Sequence, residues 1–367
     1  MITMKEIARR VGVSRQAVSA VFNDSSNCRV SPATRERILA VARELNYVSN
    51  SAARSLKGAA TKTIGIIGPL LDFGVTAAVN MEITKMLLQR GYNMLYNECK
   101  FRGCGEIDGL LQLLARGVDG VIFIQYYDLE KIRQVKQTVP YVFLGDDGRA
   151  DLASDIRVDL EHGGYLATRH LLDHGHRKVS LMVVLPQERG HLRSVGWQKA
   201  HQEAGVSVDD DDILVLHQYG GHVDAMLAEL KRREVTAVFT SNDYIGAKLI
   251  KVLPQHGIQV PQDIAVVGAD GRTFAEYVSP SLATILSPVC SRAELTVQLL
   301  MERIERKELH SAPAGHLIRP RFYPGESCGC AARPIDRMFR INTFSTIEKD
   351  AMVNFGVDVL ADSGEEV

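Results

Sequence analysis

The stretch "MKEIARRVGVSRQAVSAVFND", Met4 to Asp24, sets the reading of this 367-residue chain. It holds two helical patterns broken by Val-Gly-Val. Thr3 to Glu6 reads as a capping box, and Ile7, Ala8 and Val11 then face one side of a short helix. Gly12 supplies the backbone freedom for a tight turn. Ser14 can cap a second helix from Arg15 to about Phe22, with Ala17, Val18 and Val21 inward at three- and four-residue spacing. Arg15, Gln16 and Ser19 are left outward. A helix that only packs on its own domain has no need of that polar face, whereas one lying in a groove does.

A third helix is predicted from Ser31-Pro32, a cap followed by proline at the first helical position, and Tyr47 closes its core. Three short helices with a tight first turn make a helix-turn-helix, whose second helix can enter a major groove. Arginine can address guanine bidentately and glutamine adenine, so Arg15 and Gln16 are the candidate base readers. Ser14, Asn27, Arg29 and Thr34 suit phosphate contacts, which position without specifying. A small helical domain with a solvated charged face fits the same spacing.

Charge distribution favours the nucleic acid. Residues 1–60 carry ten Lys/Arg against four Asp/Glu, a local +6; with 43 and 44 in the whole chain, the remainder holds 33 against 40, or −7. A basic head on an acidic body is expected when one domain alone meets phosphates. Next comes "NSAARSLKG", Asn50 to Gly58, a helix of about two turns that is too short to hold itself together in water. Ala53 and Leu56 belong to its small apolar face and Lys57 to its phosphate side. Two such helices from a dimer can pack in a minor groove, with Leu56 as a wedge between base steps.

From Thr63 the pattern becomes short apolar runs alternating with helical stretches. Strands are predicted at 64–68, 93–96, 118–124, 141–144, 179–184, 213–216, 237–240 and 264–267, with eight helices between and after them. That alternation calls for parallel sheets covered on both faces, and two lobes are more natural than one sheet. Asp159 and the region of Pro288 mark the expected crossings between lobes.

Several segments, "MKEIARRVGVSRQAVSAVFN", "RVSPATRERILAVARELNYVSNSAARSLKG", "TKTIGIIGP", "RSVGWQKAHQEAG", "TAVFTSNDYIGAKLI" and "VPQDIAVVGADG", resemble the LacI/GalR family of bacterial transcriptional regulators in order and spacing. The resemblance implies an all-α helix-turn-helix head plus hinge helix, followed by a two-lobed α/β periplasmic-binding-protein-like domain with parallel sheets. The expected division is 1–49 for the head, 50–61 for the hinge and linker, 62–324 for the effector-binding and dimerisation domain, and 325–367 for a C-terminal extension. Carried over, Arg15 and Gln16 read bases and Leu56 is the wedge, while Ala20 stands where relatives carry a longer or polar reader. Arg193 and Asp270 match the family's ligand arginine and aspartate, and Asn242 opens its "ND" motif. Asp243 is either a ligand contact or a helix N-terminal residue satisfied by backbone amides. Tyr219 is a candidate to stack on a sugar ring. Gly145 replaces the usual aspartate, with Asp146 one place late.

The implied partners are double-stranded operator DNA, a small polar effector such as a sugar or sugar derivative, and a second copy of the chain. Repression is the simplest outcome, because a bound dimer obstructs polymerase; an activator of the same fold and a periplasmic-type solute-binding protein are the alternatives. No dinucleotide, P-loop or nucleophile-elbow motif stands in the body, so no enzyme activity and no cofactor are expected. No run approaches 18 uncharged apolar residues, and a cytoplasmic protein with no membrane contact is expected. Cys328/Cys330 and Cys99/Cys104 are the close cysteine pairs, and no histidine-rich segment flanks either. His162, His170 and His174 share one predicted helix. They read as a solvated or half-buried face and the cysteines as thiols, not as metal ligands.

Overall fold

The computed structural model describes residues 2–23, 30–47, 60–69, 74–98, 105–124, 126, 128–145, 154–216, 223–309 and 313–331. The expectations placed on Asn27, Arg29, Ala53, Leu56, Lys57, Asp146, Tyr219 and the tail past Ala331 lie outside those residues.

The head is three helices: α1 (Met4–Val11), α2 (Arg15–Asn23) and α3 (Pro32–Glu44). Thr3 caps α1 by accepting from the Glu6 amide, and Gly12 ends it with φ of 75°, a left-handed turn that favours glycine. The capping box is only half built. The Glu6 carboxylate is taken by Arg9 at 2.7 Å, an exposed neighbour one turn on. Ser31 caps α3 through the Thr34 amide at 3.2 Å, with Pro32 in the first turn. Ile7, Val11, Val18, Val21, Ile38 and Ala42 form the buried centre, and Arg37 clamps α3 to the end of α1 by donating to the Val11 carbonyl at 3.1 Å.

The body consists of two six-stranded sheets. The first lobe runs β1 (Thr63–Gly68), β2 (Asn93–Glu98), β3 (Gly120–Phe123), β4 (Tyr141–Gly145) and β5 (Ile156–Val158), with helices α4 (Val75–Gln89), α5 (Glu106–Ala115) and α6 (Leu129–Gln134). The chain then crosses at Asp159 into the second lobe. There α7 (Leu160–Asp173), β6 (Val179–Val183), α8 (Leu192–Glu203), β7 (Ile213–Val215), α9 (Val223–Arg232), β8 (Ala237–Thr240), α10 (Asp243–Val252), β9 (Ala265–Asp270) and β10 (Ala283–Leu286) follow. It returns at Ser287-Pro288 as α11 (Val289–Arg306), adds β11 (His316–Ile318) to the first sheet, and crosses again at Arg319-Pro320 to place β12 (Arg321–Tyr323) in the second.

The strand orders are β11-β5-β4-β3-β1-β2 and β12-β10-β9-β8-β6-β7, parallel throughout except β12 against β10. Successive residues point to opposite faces, so both faces must be apolar when helices cover both. Ile66 and Ile122 pack under α4 and α11, while Ile67 and Phe123 pack under α5 and α6. In the second lobe Leu181 and Val267 face α7 and α8, and Met182 and Val266 face α9 and α10. The expected crossings at Asp159 and Pro288 are present. The third crossing and strands β5, β10, β11 and β12 were not anticipated from the pattern.

Two buttresses set the position of the lobe edges. Arg303 on α11 forms a buried ion pair with Asp155 at 2.6 Å, beside β5. At the entry to β1, the Thr61 and Lys62 amides donate to the Asp119 carboxylate at 2.9 and 2.7 Å. The root of the linker is therefore tied to the loop before β3.

Candidate functional sites: the α2 face and the crevice between the lobes

Val18 and Val21 pin α2 to the head core, which turns Arg15 and Gln16 outward as exposed side chains in its first turn. Ser19 follows on the same side, half-buried. Ser14 accepts from the Ala17 amide at 3.1 Å, so its oxygen caps α2 and its O–H remains available to donate outward. Thr34 is paired with Ser31 at 2.9 Å between hydroxyls. Ala20 is 7% exposed and carries a methyl, so it adds no polar reach to the face. The arrangement offers a guanidinium and an amide at the start of a helix, within a basic domain, which is chemistry for base edges.

The second site is a narrow, partly open crevice where the crossings meet. Val75 and Val158 of the first lobe face Arg193, Asp270 and Ser287 across it. Arg193 stands in the first turn of α8 and Asp270 at the end of β9, where a parallel sheet opens its strand ends. Nη2 of Arg193 lies 3.3 Å from Oδ1 of Asp270, with the side chains 23% and 13% exposed. Asp270 has φ of 108°, a backbone that L residues rarely adopt and that clusters at ligand clamps.

Close packing of helices sets the arginine. A methyl on Gly164 would run into the Arg193 carbonyl, and one on Gly196 into the Glu161 carbonyl, so α7 and α8 cross with their backbones nearly touching. Trp197, fully buried on α8, donates to the Val179 carbonyl at 3.0 Å and fixes the helix against β6.

The structure separates the four described effector candidates. Arg193 and Asp270 line the crevice together. Asn242 instead caps α10 by accepting from the Ile245 amide at 2.9 Å. Asp243 is fully buried, and its carboxylate accepts from the Arg272 amide at 2.6 Å and from the Thr284 hydroxyl. Neither residue lines the crevice, so the reading of Asp243 as a ligand contact gives way to one as an internal strut, satisfied by β9–β10 neighbours. Burial, and then the charge of Asp270, raise the Asp243 carboxyl well above the ordinary range. Sequence reasoning missed Ser287 and Pro320, which line the crevice from the crossings; only a proline beside each crossing hinted at them.

Gly145, where an aspartate was the family expectation, ends β4 against Ser154. A Cβ there would collide with the Ser154 hydroxyl, which is itself bonded to the Tyr126 hydroxyl at 2.8 Å. The space beside Gly145 is filled by that buried hydroxyl pair.

Comparison with known proteins matches both the head and the body. The family described as bacterial regulatory proteins, lacI family, matches residues 3–50, and the periplasmic binding protein-like domain matches residues 168–328. The HTH-type transcriptional repressor PurR of Photobacterium profundum is 31% identical over 319 residues, covering 84% of this chain and 93% of its own. The ribose operon repressor of Escherichia coli (strain K12) is 32% identical over 327 residues, covering 84% and 95%. A lac repressor dimer bound to operator and the anti-inducer ONPF shares the fold with a TM-score of 0.76 at 23% identity, covering 89% of this chain and 99% of that one.

Proposed function

The chain belongs to the lacI family of bacterial regulatory proteins, and we propose that it is a repressor whose dimer holds a two-fold operator under the control of a small polyhydroxylated effector. The carrying observation is the Arg193–Asp270 pair, held on strained backbone in a crevice bounded by both lobes. A mutually neutralising cation and carboxylate present donors and acceptors without net charge, which suits adjacent hydroxyls of a neutral sugar. Relatives named as repressors, one of them of a ribose operon, support that reading.

In this mechanism the first turn of α2 reads each half-site, with Arg15 and Gln16 at base edges and Ser14, Ser19 and Thr34 toward the backbone. One head with two readers covers too few base pairs for specificity in a genome, so a dimer on a symmetric site is required. The operator-bound lac repressor of this fold is a dimer. Effector seated at Arg193 and Asp270 shifts the lobes about the three crossings and so moves the linker roots at Thr61. The change in operator affinity is bounded by the ligand's differential binding to the two arrangements.

Arg15→Ala is expected to cost about 1–3 kcal/mol on the cognate operator and much less on random DNA at the same salt. Equal losses on both would reduce Arg15 to a phosphate contact. For the effector, a thermal-shift screen of monosaccharides, sugar acids and nucleosides identifies the ligand, which is then retested on Asp270→Ala. That variant should bind operator normally and ignore the ligand. Release of DNA at the parent's ligand concentration would place the effector elsewhere.

A further inference from the structure

Three donor side chains, His170, Cys328 and Cys330, converge at the outer edge of the second lobe, with His174 beside Cys330. His170 and His174 lie one turn apart at the end of α7, on one face of the helix. Cys328 and Cys330 flank Gly329 just after β12. Nε2 of His170 is 3.2 Å from the Cys328 sulfur and 3.6 Å from the Cys330 sulfur, and Nε2 of His174 is 3.8 Å from the Cys330 sulfur. The donor atoms of His170, Cys328 and Cys330 all lie within 4.8 Å of one another.

We propose that His170, His174, Cys328 and Cys330 form a structural zinc site that staples the end of the effector domain to α7. Zinc bound at about 2.3 Å to sulfur and about 2.0 Å to nitrogen in a tetrahedron sets N···S separations of about 3.5 Å, the middle of the observed range. The Cys328 thiol can donate to the Gly325 carbonyl at 3.1 Å, so the convergence of both sulfurs on one His170 nitrogen is not needed to satisfy the thiols and reads as a ligand set.

The surroundings prepare the donors. Nδ1 of His174 is 2.9 Å from the His170 carbonyl, which assigns the proton to Nδ1 and leaves the Nε2 lone pair toward Cys330. Gly329 has φ of 90°, the left-handed turn that brings both sulfurs to one side and that a side chain would resist. The turn carrying Cys328 is braced from within: the Ser327 hydroxyl donates to the Val266 carbonyl at 2.6 Å and accepts from the Ala283 amide at 2.9 Å. Phe322 lies against the His170 ring at 4.1 Å between centroids and dries one side of the site. Two soft sulfurs and two imidazoles in a closed set select zinc over oxygen-seeking cations.

Binding replaces the two thiol protons by metal–sulfur bonds, so each zinc releases two protons to solvent. The test uses the full chain, stripped with chelator and titrated with cobalt(II) and then zinc(II). One cobalt per chain is expected, with thiolate-to-metal charge transfer and the intense visible bands of a tetrahedral ion, displaced by zinc. Zinc should raise the melting temperature, and chelator should reverse it. Cys330→Ser and His174→Gln alter side chains near the surface and spare the fold. Each should lose at least about tenfold in cobalt affinity, and Cys330→Ser should lose thiolate absorption. His162→Gln, on the same helix but outside the cluster, should bind as the parent does. An octahedral spectrum without thiolate absorption, or a signal unchanged in Cys330→Ser, overturns the proposal.

Discussion

Replacing Asp155 with alanine isolates what holds the inner edge of the first lobe. Oδ1 accepts from Nη2 of Arg303 at 2.6 Å and from the Ala314 amide at 2.9 Å; Oδ2 accepts from Nη1 of Arg303 at 3.0 Å and from the Phe143 amide at 2.8 Å. The two side chains are 1% and 6% exposed. Truncation strands the guanidinium with the Tyr141 carbonyl, to which it also donates at 2.6 Å, and orphans two backbone amides. Breaking one side of a buried pair costs about 3–5 kcal/mol, and an orphaned buried amide about 1–3 kcal/mol. These terms overlap, because all the groups share one relaxing cavity. The expected loss is about 4–6 kcal/mol, a large part of the roughly 5–15 kcal/mol that a domain possesses. Asp155→Ala/Arg303→Met removes the stranded charge and should recover at least about 1.5 kcal/mol. Urea unfolding followed by far-UV circular dichroism measures both. Trp197, the chain's one tryptophan, sits in the other lobe and reports that lobe separately. A single variant that loses less than about 1 kcal/mol, or a double variant no better than the single, would refute the reasoning.

Gly145→Asp restores the residue expected of the family, yet the Ser154 hydroxyl blocks its Cβ, so the variant should lose about 1–3 kcal/mol and gain no effector affinity. Adding Ser154→Ala should recover part of the loss; melting curves that show Gly145→Asp alone as stable as the parent would contradict the packing. Asp243 has its carboxyl raised by burial and by Asp270, so its contribution favours folding in the protonated form and declines as pH rises from the ordinary value, about 4, through the raised folded one. Asp243→Asn cannot ionise and should gain on the parent across that rise in paired thermal melts; a constant difference would show that Asp243 stays in one protonation state.

The head and the alternating body were legible because their signals are local. Thr3, Gly12 and Ser31 act within a turn of where they stand, and long apolar runs such as "VSLMV" have one reading. The four missed strands are three or four residues long, and Pro320 interrupts the pair β11 and β12, so no periodicity accumulates. Arg193 and Asp270 are 77 residues apart, and only a resemblance linked them. Asp243 stayed open for a related reason: a carboxylate following a strand looks alike whether it faces a ligand or a neighbouring strand. His170 and Cys328 are separated by 158 residues and two lobe crossings, so neither spacing pattern held the other's partner. The antiparallel edge strand β12 joins them, which adjacency along the chain cannot show.

The clamp of Thr61 and Lys62 on Asp119 fixes where the body begins. Thirteen residues, 48–60, separate Tyr47 of the head from that point. Fully drawn out they reach at most about 45 Å, and wound as an α-helix about 20 Å. The first lobe therefore sets the point from which any such span is measured. The two limits differ by more than half a turn of DNA, about 17 Å. A rotation of that lobe would carry this point with it, because Thr61 and Lys62 are both held to Asp119. Lengthening the connection by a few residues on the head side would extend that limit while leaving the crevice and the α2 face untouched.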